Sequence, residues 1–76
     1  SRACNEILIM MEEVNKLKVE VKKEREELAS LLSWKGQGTT IDNTLDGLKQ
    51  QITSLEKFTL KLKKKYDGIY WEKSKD

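Results

Sequence analysis

Few side chains in this chain could carry out chemistry by themselves. Cys4 is the only cysteine and there is no histidine, so the usual base at neutral pH is missing and no imidazole can activate the thiol. A single cysteine also excludes an intramolecular disulfide and a Cys/His zinc site. We therefore expect no enzyme, no metal, no cofactor and no small-molecule substrate. The cysteine usage favours an intracellular, reducing compartment, either cytoplasm or nucleus.

The other chemical candidate is a run of lysines over residues 57–65. Five lysines occupy these nine positions without an acid among them, and one outward stripe of a helix would carry Lys57, Lys61 and Lys64. Such a surface can bind nucleic acid or an acidic partner. The run has no arginine for bidentate phosphate contacts and the net charge is only +2, which favours a solvated helix face instead.

The rest of the sequence has the composition of long helices. Ala, Glu, Lys, Leu and Arg make up nearly half of the residues, as in coiled coils. Turn-forming residues cluster only once. We predict one coiled-coil region with a helix over 5–35, a turn over 36–40, a helix over 41–68 and an apolar aromatic tail over 69–76. The first residue is Ser rather than Met, so a fragment of a longer protein is expected.

Local signals support these boundaries. Gly36 suits the left-handed position that follows a helix. Thr39, with Asp42 three residues later, resembles a capping box and offers an earlier start for the second helix, at Thr39 or Thr40. Asp67 and Gly68 form the next stop signal.

Apolar residues recur at heptad spacing, with positions labelled a to g, and the a and d positions are almost all apolar. The predicted interface of helix 1 comprises Ile7, Met10, Val14, Leu17, Val21, Leu28 and Leu31. The predicted interface of helix 2 comprises Leu45, Leu48, Ile52, Leu55, Leu62, Tyr66 and Ile69. Glu24 and Thr59 are the polar exceptions in these stripes.

The heptad phase indicates how the two helices are related. It slips by three residues across the glycines, so a continuous rod would need a stammer there. Folding the chain back at residue 38 instead sets apolar positions opposite each other, for example Val14 and Leu62. A short link is ordinary for such a pair. We predict an all-α fold, a two-helix antiparallel coiled-coil hairpin.

Charges on helix 1 predict further association. Glutamates occupy every g position, and Lys18 and Arg25 occupy e positions. In a parallel dimer, Glu13 would face Lys18 and Glu20 would face Arg25, whereas antiparallel pairing would bring glutamates together. We therefore expect two hairpins to form a four-helix bundle with their first helices parallel.

Surplus apolar residues predict a contact with a partner at the pole away from the turn. They lie outside the a and d stripes, near the start of helix 1 and the end of helix 2, and a patch of this kind usually contacts another chain. This partner-contact pole comprises Leu8, Ile9, Met11, Phe58, Tyr70 and Trp71.

The function that these patterns predict is structural. We expect a protein-protein interaction and oligomerisation module that assembles a larger intracellular complex, with a second copy or another helical chain as partner. The longest apolar run, Ile7 to Met11, is far shorter than the roughly 20 residues that cross a bilayer, so no membrane partner is expected. The alternatives are an extended parallel dimeric rod or tether, and binding through the lysine run.

Overall fold

Two long helices make up almost the whole molecule. The computed structural model describes residues 2–75. In it α1 spans Arg2–Leu31, a 3₁₀ turn spans Leu32–Trp34 and α2 spans Thr39–Ser74, with no strand among these residues. The two α-helices pack against each other, which confirms the predicted all-α helical hairpin. The Cα atoms extend over 58 × 14 × 11 Å.

A short link between the helices reverses the chain direction. The 3₁₀ turn closes with hydrogen bonds from the Lys35 amide to the Leu32 carbonyl and from the Gln37 amide to the Trp34 carbonyl. Gly36 has φ of +88°, a left-handed conformation that costs glycine little. Its amide donates to Oδ1 of Asp42 at 2.8 Å, so this carboxylate ties the link to the first turn of α2.

Both helices differ in length from the sequence prediction. α1 begins at Arg2 rather than at residue 5, and it ends at Leu31 because the chain then tightens into the 3₁₀ turn. α2 begins at Thr39 and continues through Gly68 to Ser74, so the predicted tail over 69–76 is helical as far as residue 74. Asp76 lies outside the described residues.

The continuation of α2 through Gly68 has a packing explanation. A glycine inside a helix costs only about 1 kcal/mol relative to alanine. Around Gly68, the side chains of Tyr66, Ile69 and Tyr70 are half-buried. Tyr66 shares a groove with Met10 and Val14 of α1, and packing of this kind offsets the glycine penalty.

The core is a single file of a residues taken alternately from the two helices. Going from the open pole to the link, Val21, Ile52, Leu28 and Leu45 form its best-buried stretch. Thr59, a polar a residue, is 1% exposed. Its hydroxyl donates to the Glu56 carbonyl at 2.9 Å, so no buried polar atom is left without a partner there.

Candidate association surface

The structure divides the predicted apolar stripes into a buried set and an exposed set. The a residues Ile7, Val14, Val21, Leu28, Leu45 and Ile52 are buried. Most d residues, in contrast, keep more than a third of their surface exposed. The d residues Leu62 and Ile69 and the a residue Tyr66, near the open pole, are half-buried. The hairpin therefore satisfies its a residues by itself and leaves the d residues only partly covered.

The exposed apolar d residues lie on one flank of the hairpin, which we call the d face, and on α1 the exposed polar d residue Glu24 interrupts them. Each member is between 37% and 46% exposed, and positions seven residues apart place them along one side of each helix. The d face comprises Met10, Leu17, Leu31, Ile41, Leu48 and Leu55.

Three open depressions run along the d face. One of about 340 Å³ lies beside the link, where Leu31, Ile41 and Leu48 line it together with Trp34. A second follows at mid-length and a third toward the open pole, where Met10 faces Tyr66. Depressions between apolar residues of a helix pair can accept side chains of further helices.

Charge borders the d face on its α1 side. The g residues of α1 form an exposed acidic rim, made of Glu6, Glu13, Glu20 and Glu27. Glu13 and Glu27 also line two of the depressions. Glu24, the polar d residue, is exposed and lines the middle depression. The g residues on the α2 side, which we call the α2 rim, are Thr44, Gln51, Phe58 and Lys65.

The opposite flank of the hairpin, which we call the e flank, is closed by polar contacts within the chain. Nε of Arg25 donates to Oε1 of Glu56 at 2.6 Å, and its Nη2 donates to Oγ1 of Thr53 at 2.7 Å. Sequence reasoning assigned Arg25 to a second chain and missed both partners. The signal was present, because e positions of an antiparallel helix pair face each other and Glu56 is an e residue.

The remaining residues of the predicted charge pairing are exposed. Glu13, Lys18 and Glu20 all lie at the surface, and none of them forms an ion pair among residues 2–75. Glu6 is bonded to Arg2 at 3.5 Å across one helical turn. An exposed pair of that kind contributes little to stability.

The predicted partner-contact pole is only partly free. Met11 and Tyr70 are half-buried, whereas Leu8, Ile9 and Phe58 are exposed and Trp71 is 66% exposed. The rings of Tyr70 and Trp71 meet edge to face with centroids 5.7 Å apart, an arrangement that aromatic pairs favour. Tyr70 is therefore partly covered, whereas most of the Trp71 side chain is exposed to solvent.

The lysine run lies on the outer surface of α2. Lys57, Lys61 and Lys64 are exposed, and binding of an acidic partner there stays a prediction.

Within residues 2–75, no group of three His, Cys, Asp or Glu side chains lies close enough to hold a metal ion. Neither described helix contains a stretch apolar and long enough to cross a membrane.

Comparison with known proteins adds no relative. The chain matches no protein-family model, and it has no significant match among curated protein sequences or among solved structures. The chain is a two-helix hairpin with one exposed apolar flank, the d face.

Proposed function

We propose that the protein is a structural oligomerisation module, which assembles a larger intracellular complex by burying its d face against helices of a second chain. The observation that carries the proposal is the exposure of the apolar residues of the d face. Six large apolar side chains stay exposed on one flank along most of the hairpin, and monomeric proteins rarely leave an apolar surface of that extent uncovered.

The size of the d face supports this proposal. The hairpin is 58 Å long and 14 Å wide, so one flank offers about the 800 Å² per partner that a stable interface of standard size buries. Two helices alone form a small core, and a chain of this length seldom gains more than about 3 to 5 kcal/mol from such a core. Packing two hairpins through their d faces would give a four-helix bundle with a core of ordinary width.

Sedimentation equilibrium of the purified chain under reducing conditions tests the proposal. We expect the mass of two chains over a wide concentration range. Leu55→Gln should shift the equilibrium toward one chain, because it places an amide in the proposed interface. A mass of one chain at all concentrations for the unsubstituted protein would contradict self-association.

Leu60→Gln is the matched control for this experiment. Leu60 lies in the same helix, has nearly the same exposed fraction as Leu55 and occupies a b position away from the d face. The Leu60→Gln substitution should leave the mass measured by sedimentation equilibrium unchanged. Equal effects of the two substitutions would show that general solubility, rather than the d face, determines association.

A further inference from the structure

We infer that the partner on the d face is a second copy oriented so that α1 of each chain packs against α2 of the other. This inference rests on the proposed function and adds the identity and orientation of the partner. In the resulting bundle every helix is antiparallel to its two neighbours, and the two α1 helices are parallel to each other on a diagonal.

Two-fold symmetry allows only two ways to place one d face on another. With the axis along the helices, α1 of one copy lies across from α2 of the second copy. With the axis across the helices, α1 lies across from the antiparallel α1 of the second copy. Because an interface between identical chains uses the same surface twice, the side chains that border the d face decide between the two.

The acidic rim disfavours the arrangement with α1 across from α1. If the hairpins overlap fully, Glu20 would lie near Glu20 of the second copy and Glu13 near Glu27 of the second copy. Like charges facing each other at the edge of an interface cost free energy and select against that orientation. Glu13, Glu20 and Glu27 form no ion pair among the described residues of their own chain, although Lys16 and Lys23 lie one turn away on the same helix.

The rim of α2 fits the acidic rim better. From Thr44 to Lys65 its g residues include no carboxylate, whereas every g residue of α1 is a glutamate, and its g residue Lys65 and c residue Lys61 are basic. Residues at the same height in the hairpin have numbers that sum to about 76, as the groove shared by Val14 and Leu62 illustrates. Glu13 therefore lies at the height between Lys61 and Lys65 of the second copy, where an ion pair can form twice by symmetry.

Distance measurement between two spin labels tests the orientation. A Cys4→Ala chain with Asn5→Cys carries one label on the outward side of α1, so every measured distance is between chains. The inferred bundle places both labels at the same pole, about 25–30 Å apart, from a diagonal of two helix spacings plus the labels. A distance approaching the 58 Å length of the hairpin would overturn the orientation but leave self-association in place. Absence of dipolar coupling at high concentration would overturn both proposals.

Charge reversal provides a test that does not depend on labels. Glu13→Lys should weaken self-association on the order of tenfold, since attraction becomes repulsion at two symmetry-related places. Adding Lys61→Glu and Lys65→Glu to the Glu13→Lys variant should restore self-association. If Glu13→Lys strengthens association instead, the acidic rims face each other and the inference is wrong.

Glu12→Lys is the control for the charge reversal. It changes the same charge one residue away, at an exposed position that points away from the d face, and should leave the dissociation constant within about twofold. Circular dichroism of each variant verifies that the helix content is unchanged.

Discussion

The e flank and the d face of the hairpin differ in how far their side chains are covered by the chain itself. On the e flank, Arg25 bonds to Glu56 and Thr53, and Cys4 is buried. On the d face, leucines and other large apolar residues stay more than a third exposed. In this hairpin the file of residues buried between the two helices consists of a residues. Polar bonds within the chain cover the e flank, whereas the d face is available for packing against a further layer of helices.

The largest expected effect is a loss of stability upon substitution of a buried a residue, compared with substitution of a residue on the d face. Leu28→Ala should lower the free energy of unfolding by about 3 kcal/mol, because it leaves a cavity at a residue that is 5% exposed. At low chain concentration, where single hairpins dominate, Leu48→Ala should lower the free energy of unfolding by less than half as much as Leu28→Ala. Urea denaturation followed by circular dichroism measures both. Equal losses at low concentration would contradict the division between a and d residues.

The second effect concerns the one charge on the d face. Glu24→Leu should strengthen self-association by about tenfold or more, because the interface would no longer bury a carboxylate and would gain a leucine. Glu26→Leu, at an exposed outward position, should change it little. Sedimentation equilibrium gives both dissociation constants. An unchanged or weakened association of Glu24→Leu would mean that the middle of the d face is not covered.

A smaller effect is expected on the e flank. A double-mutant cycle of Arg25→Met and Glu56→Gln should give a coupling of about 0.5–1 kcal/mol, since both side chains keep more than a third of their surface exposed. The coupling should decrease with added salt. The same cycle on the more exposed Arg2–Glu6 pair should give a value near zero. A change in oligomer mass upon Arg25→Met would show that this flank also contacts a second chain.

The smallest effect should come from the open pole. Trp71→Ala should alter neither the helix content nor the oligomer mass, because the indole is mostly exposed and lies away from the d face. Circular dichroism and sedimentation measure the two quantities separately. Loss of association with unchanged helix content would move the interface from the d face to the predicted partner-contact pole.

Sequence patterns predicted the helices and their fold-back but not which stripe is buried. Heptad labels give a and d residues equal weight, so Leu28 and Leu31 look alike in the sequence. Their difference arises from the rotation of each helix about its own axis, and contacts between residues distant in sequence, such as Arg25 with Glu56, fix that rotation. The end of α2 was mispredicted for a similar reason. The stop signal at Gly68 is local, whereas the groove that Tyr66 shares with Met10 of α1 depends on the fold.

The tight link also determines the order in which the hairpin can fold. Two side chains beside the link, Leu31 and Leu45, are close in sequence. Met10 and Tyr66 at the open pole are separated by most of the chain. Closing the second pair directly costs about 1.2 kcal/mol more in chain entropy than closing the first. We therefore expect folding to start at the glycine link and to proceed toward the open pole, each closed layer shortening the loop that the next must close. For the same reason we expect the open pole to fray first and the amide protons of the core beside the link to exchange last.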